Sequence, residues 1–133
     1  MAVEARPEQQ AFPGHFPSRC PIDAYGNGGF RFGGMSHRGS IVCLPSGVWA
    51  WDAVTQADLT FSAFARALAE LEIPQFLLVG TGRSQAFANL DVLRAFEAKR
   101  VGLDFMDTGA AARTFNILLA EQRPVSVALL AVD

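Results

Sequence analysis

The sequence predicts a single α/β domain in which parallel strands alternate with helices through the C-terminal half. Three observations predict it. The runs Phe76–Val79, Val101–Met106 and Val125–Val132 are apolar at most positions on both faces, which is how strands read when helices cover both sides of a parallel sheet. Segments with helical periodicity separate those runs. The chain has 133 residues, half of them apolar, enough for one core and too few for two ordinary domains.

Residues 1–19 carry three prolines and no usable period. They read as an irregular arm that Phe12 and Phe16 tack onto the body, and residues 20–133 read as the α/β domain. Tyr25-Gly26-Asn27-Gly28-Gly29 is turn chemistry, since Gly and Asn tolerate positive φ. Phe30-Arg31-Phe32 alternates like a short strand, and Gly33-Gly34 stops it. Ser40–Leu44 and Val48–Trp51 read as a β-hairpin closed by the three-residue loop Pro45-Ser46-Gly47. Alternation puts Trp49 and Trp51 on one face.

Asp58–Ile73 reads as one helix. Thr60 is its N-cap, Leu59 and Phe64 form a hydrophobic staple, and Pro74 ends it. Between the three apolar runs lie a helix from about Leu90 to Lys99 and another from Thr108 to Glu121. Asp91 near the start of the first, and Lys99-Arg100 at its end, suit the helix dipole. Ala111, Phe115, Leu118 and Leu119 share the apolar face of the second.

Net charge is −2, which gives no basis for a nucleic-acid footprint or an anionic-membrane surface. The longest apolar run is strand length, short of the roughly 20 residues of a spanning helix, so no transmembrane segment is expected. Met1–Arg6 is not followed by an apolar segment of signal-peptide type. The two cysteines, Cys20 and Cys43, form no CxxC pair. A disulfide between them stays open, but free thiols suit a reducing compartment. The expected location is cytoplasmic.

Gly80-Thr81-Gly82 follows one buried strand and Asp107-Thr108-Gly109 follows the next. If those strands are neighbours, both loops line the crevice where open α/β sheets bind ligands. With Thr108 as N-cap and Gly109 as first helical residue, free amides would meet an anion, and Arg83 and Arg113 would add positive charge. Arg113 and Asn116 lie on the helix face away from Phe115 and Leu118. The candidate ligand site is therefore Gly80, Thr81, Gly82, Asp107, Thr108, Gly109, Arg113 and Asn116. The competing reading is architectural: the glycines are tight turns and Thr108 only a cap. Gln85 stands where a dinucleotide fingerprint needs its third Gly, and no Gly-Lys phosphate loop exists.

Asp104 and Asp107 flank a strand end and read as turn or helix caps before acid-base groups. His15 and His37 have no ligand-spaced partners, so neither metal nor cofactor is expected. Ser40 lacks the flanking glycines of a nucleophile elbow, and Cys43 reads as an inert core thiol. No catalytic set emerges. Trp49 and Trp51 either anchor a protein partner, as Trp does at binding hot spots, or lie beneath a helix or the arm.

Gly28-Gly29-Phe30-Arg31-Phe32, Ser36-His37-Arg38-Gly39-Ser40-Ile41, Leu78-Val79-Gly80-Thr81-Gly82, Met106-Asp107-Thr108 and Arg113–Arg123 together resemble a domain-of-unknown-function family. That family has bacterial and archaeal members and includes the mitochondrial NADH dehydrogenase (complex I) assembly factor 3. The likeness runs over roughly Ile22–Val132. It implies a three-layer α/β fold with a mixed, partly parallel central sheet, helices on it, and an additional antiparallel β layer from the N-terminal half. It implies no catalytic residues. Phe115 stands where the family's helix motif commonly has Tyr, and Ala112 where some bacterial members have Cys.

Two functional readings follow. One is a non-enzymatic accessory protein whose partners are subunits of a respiratory-chain complex. The other is a binding protein or enzyme that takes a small anionic ligand in the strand-end crevice. The residues fix neither partner nor oligomeric state.

Overall fold

A computed structural model describes residues 10–133, so the arm before Gln10 lies outside the described residues. The described residues open with two short strands, β1 (Gln10–Ala11) and β2 (His15–Phe16). An antiparallel meander follows: β3 (Ala24–Gly26), β4 (Gly29–Phe32) and β5 (Met35–Arg38). Its two turns have positive φ at both central residues, 49° and 81° at Asn27 and Gly28, 56° and 75° at Gly33 and Gly34. Type I′ hairpin turns require this, which is why Asn and Gly stand there. β1 joins this small sheet alongside β5, in parallel.

The larger sheet takes β2, then β6 (Ser40–Leu44), β7 (Gly47–Trp51), β8 (Phe76–Gly80), β9 (Gly102–Met106) and β10 (Val125–Leu129). Its order is β2-β7-β6-β10-β8-β9. β8 is parallel to both β10 and β9, while β10 and β6 are antiparallel. The three apolar runs thus share one sheet and point the same way. The β6–β7 loop is tighter than expected. Leu44 pairs with Gly47, which leaves only Pro45 and Ser46 as the turn.

Alternate side chains of the large sheet build two cores. Leu44, Leu77, Val79 and Leu130 face α1 (Ala65–Glu70) and α2 (Leu90–Ala98), packing with Phe64, Ala67, Val92 and Phe96. Ile41, Cys43, Leu78, Val127 and Leu129 face α3 (Thr108–Ala120) and the small sheet, packing with Ala111, Phe115, Phe30 and Phe32. The fold is therefore three-layered. The step from β8 to β9 runs outward and the step from β9 to β10 runs back across β8. Two crossovers of one hand then place α2 and α3 on opposite faces.

Two expectations are corrected. β9 is an edge strand, with Gly102 and Asp104 exposed. Its apolar residues Leu103 and Phe105 serve one core and Met106 the other. The helix expected over Asp58–Ile73 is broken into 3-10 turns at Gln56–Asp58 and Phe61–Phe64, and only Ala65–Glu70 is α-helical. The cause is Asp58. Its Oδ2 accepts the backbone N–H groups of Val54 and Thr55, each at 2.9 Å, and this winds a separate turn upstream of Thr60. The Thr60 hydroxyl pairs with that of Ser62 instead of capping a helix. Leu59 and Phe64 are still buried in one cluster.

Both longer helices end in Schellman motifs without glycine. Arg100 and Gln122 take φ of 58° and 61°. Val101 N–H donates to Phe96, and Arg123 N–H to Leu118, closing the last turns. No helix among the described residues is long and apolar enough to cross a membrane.

The arm packs tightly where it crosses the hairpin. Gly47 has φ of 123°, and a Cβ there would lie 2.0 Å from the Phe16 carbonyl oxygen. Gly47→Ala should therefore cost about 1–3 kcal/mol, the usual range for overpacking, with NMR shifts changed at His15 and Phe16. Urea unfolding measures the cost. A midpoint equal to wild type would mean the arm does not hold this position.

Candidate functional site

β8 and β9 are neighbours, and their following segments lead to opposite faces of the sheet. This is the switch point at which a ligand crevice is expected. Here the two loops are stitched to each other. Thr81 N–H donates to the Met106 carbonyl and Thr108 N–H to the Gly82 carbonyl, both at 2.8 Å. Gly82 N–H donates to the Thr108 hydroxyl at 2.9 Å, and that hydroxyl donates to the Leu130 carbonyl at 2.7 Å. Thr81 and Thr108 are wholly buried. The Thr81 hydroxyl folds its own loop, donating to the Ser84 carbonyl at 2.7 Å and accepting Ala86 N–H at 3.0 Å. Gln56 and Gln85 grip the loop from outside, through the Thr81 and Phe105 carbonyls. Gly80 is glycine for a packing reason: a Cβ would sit 2.7 Å from Leu129 Cδ2 and 2.9 Å from Thr108 Cα.

The N-cap of α3 is Asp107, not Thr108. Asp107 Oδ1 accepts Ala110 N–H at 2.8 Å, while the Thr108 hydroxyl is committed to Leu130. A carboxylate at the cap position reaches the third amide of the helix, so one of the amides expected to meet an anion already has an acceptor.

The predicted ligand residues therefore separate. Gly82, Asp107, Gly109 and Arg113 line a cleft of about 210 Å³ together with Tyr25, Arg83 and Val132. Arg113 donates to the Tyr25 hydroxyl at 3.2 Å. Gly80, Thr81 and Thr108 are packed inside. Asn116 is elsewhere, and its polarity has a structural use. Its Oδ1 accepts Ile22 N–H at 2.8 Å and its Nδ2 donates to the Ile22 carbonyl at 2.9 Å, which ties α3 to the start of the small sheet. Asp104 is exposed on β9. Nothing in the sequence marks Tyr25 and Val132, because only the fold brings β3 and the segment after β10 to this edge.

The two tryptophans are both partly covered. Trp49 is sandwiched. The His15 ring stacks on it at 3.6 Å, and the Arg66 guanidinium carbon lies 3.6 Å from its centroid. Trp49 Nε1 donates to the Ser46 hydroxyl, and Ser46 donates through its hydroxyl and its N–H to Glu70, both at 2.6 Å. Trp51 Nε1 donates to the Ala63 carbonyl at 2.7 Å, and its ring meets Phe64 edge-on at 5.6 Å. Trp51 also lines a larger groove of about 550 Å³, with Ala50, Asp52 and Ala53 on one wall and Asp58, Thr60, Ala63 and Arg66 among the residues opposite. Nothing in the spacing of these small residues marks a groove in the sequence.

Among the described residues no cluster of three or more His, Cys, Asp or Glu could hold a metal ion. Both cysteines are free. Burial pushes the Cys43 thiol up to about 12, and burial followed by Asp23 also raises that of Cys20. Both are therefore protonated at neutral pH, and the thiol form is the poor nucleophile.

A family model described as "protein of unknown function (DUF498/DUF598)" matches residues 22–130. The rat NADH dehydrogenase [ubiquinone] 1 alpha subcomplex assembly factor 3 is 32% identical over 118 residues, which cover 86% of this chain and 62% of that protein. The chain thus spans about three fifths of that relative's length. An uncharacterised protein of Rhodobacter capsulatus is 38% identical over 116 residues, covering 86% of this chain and 87% of that one. A crystal structure titled as an outer membrane protein from Bartonella henselae superposes with a TM-score of 0.76 at 45% identity, covering 90% of this chain and all of that one.

The stitching of the two loops rests on one hydroxyl. Thr108→Val keeps the shape but strands the Gly82 N–H and removes a donor from the Leu130 carbonyl. The expected loss is about 2–3 kcal/mol, from the cost of leaving buried polar groups unpaired. Chemical unfolding, with amide exchange at Gly82, checks it. Full stability with a protected Gly82 amide would contradict the assignment.

Proposed function

The chain belongs to the DUF498/DUF598 family of proteins of unknown function, and from that premise we propose that it is a cytoplasmic, non-enzymatic accessory protein that assists assembly of a respiratory-chain complex. The observation that carries this reading is the likeness to assembly factor 3 across 86% of the chain, nearly the whole three-layer domain. The site geometry supports it. The strand-end crevice is narrowed by the protein's own hydrogen bonds to a cleft of about 210 Å³, and the larger opening is a groove of about 550 Å³ beside Trp51. Partners would be subunits of that complex. Deleting the gene should lower fully assembled NADH dehydrogenase on native gels and leave subcomplexes behind, with recovery on returning the wild-type chain. Tagged protein drawn from native membrane extracts should carry respiratory subunits. Normal enzyme levels in the deletion strain, with no such subunits recovered, would overturn the reading.

A second reading places a small anionic ligand in the cleft that Arg83 and Arg113 share. In its favour are the two guanidinium groups and the Tyr25 hydroxyl. Against it, the Asp107 carboxylate lines the same cleft. On this reading millimolar phosphate raises the thermal midpoint of the wild type and does not raise that of Arg113→Ala. No rise in the wild type ends it.

A further inference from the structure

We infer that the groove beside Trp51 is a docking slot for an extended segment of a partner protein that presents a basic side chain. The inference deepens the accessory-protein reading and rests on it for the idea of a protein partner. The groove is lined by consecutive residues, Ala50, Trp51, Asp52 and Ala53. Ala50 and Trp51 end β7, and Asp52 and Ala53 follow it, so the opening lies beside the end of that strand and the segment that leaves it.

The edge of β7 is only partly covered. β2 pairs with β7 at Val48 and Trp49, and Ala50 N–H donates to the Gly14 carbonyl at 3.0 Å. The arm then turns away through Pro13. Outward-facing peptide groups recur every second residue, so the next ones are the Ala50 carbonyl and the Asp52 N–H. Among the described residues no bond outside the strand ladders reaches either group. An added strand would continue the sheet there, by the mode in which main-chain bonds give affinity and side-chain pockets give selectivity.

The facing wall is made of short side chains, Thr60, Ser62, Ala63 and Ala65, and leaves about 550 Å³. Trp51 is its aromatic side, held in place by the Ala63 carbonyl and Phe64. Val54 and Phe61, 70% and 48% exposed, adjoin the lining in sequence and offer apolar contact. Charge selects the occupant. Asp52 and Asp58 line the groove against one lining cation, Arg66, and the Arg66 guanidinium already lies over Trp49. Asp58 receives both turn amides on Oδ2, which leaves Oδ1 for an incoming donor. A lysine or arginine meets two carboxylates and an indole face here.

The test uses the full isotope-labelled chain and two blocked heptapeptides, one alternating lysine with valine and the other glutamate with valine. The lysine peptide should shift amide resonances of Ala50–Ala53 and Thr60–Arg66, and the glutamate peptide should not. Asp52→Lys, an exposed position, should weaken the lysine peptide about tenfold or more. Ala65→Trp should block it by filling the groove, with the rest of the spectrum unchanged in both variants. No shifts at millimolar lysine peptide, equal shifts from both peptides, or binding that Asp52→Lys leaves intact would overturn the inference. If respiratory subunits are recovered with the chain while the groove stays silent, the accessory reading stands and this surface is the wrong one.

Discussion

The structure depends on β10 lying in the middle of its sheet. All five of its residues are buried. It pairs in parallel with β8 and antiparallel with β6, so it joins the βα units of the C-terminal half to the hairpin of the N-terminal half. No other described strand pairs with both. Its far end also fastens the loops: Leu130 N–H donates to Gly80 and the Leu130 carbonyl receives the Thr108 hydroxyl. A strand that is late in sequence and central in space makes most of its contacts non-local. Neither core is complete until it arrives, and such topologies fold slowly.

The strand-end crevice and the groove differ in how they treat their polar groups. At the crevice, threonine hydroxyls and loop amides satisfy each other in the absence of solvent, which fixes the relation of α3 to the sheet. Beside Trp51, Asp52 is exposed and Asp58 lines the same groove with one oxygen held by the Val54 and Thr55 amides. The first arrangement gives rigidity. The second leaves hydrogen-bonding capacity for another molecule. Gly80 serves the first, by letting α3 approach the sheet to the distance at which Thr108 can reach both Gly82 and Leu130.

Much of the fold is legible in the residues because local and global preferences agree. Buried runs such as Phe76–Val79 and Val125–Leu129 have no polar face to offer, and Asn27-Gly28 can hardly do anything but turn. The misread elements are those in which a local choice is settled by distant partners. Val101–Met106 carries Gly102 and Asp104 on one alternating face, and those are the residues exposed where the strand order makes it an edge. Asp58 could cap the helix after it or fold back on Val54 and Thr55, and it folds back. Asp107 and Thr108 are adjacent and either can cap, but Leu130 engages the threonine. Arg100 and Gln122 occupy positions usually marked by glycine, so the Schellman geometry of those helix ends is not legible even though their places are. At the candidate sites, Asn116 reads as an unexplained polar residue because its partner, Ile22, is 94 positions away. The groove is invisible in the sequence because its alanines and its serine, drawn from a strand end, a 3-10 turn and a helix start, look like any surface.

The sandwich of His15, Trp49 and Arg66 has an optical consequence. An indole pressed between an imidazole and a guanidinium emits differently from one in water, while Trp51, pinned to a carbonyl beside Phe64, should be indifferent to the imidazole. Lifting the N-terminal segment would strip one indole of its neighbour and leave the other as it was. The molecule thus carries its own fluorescent gauge of whether that segment is seated, with an internal reference two residues away.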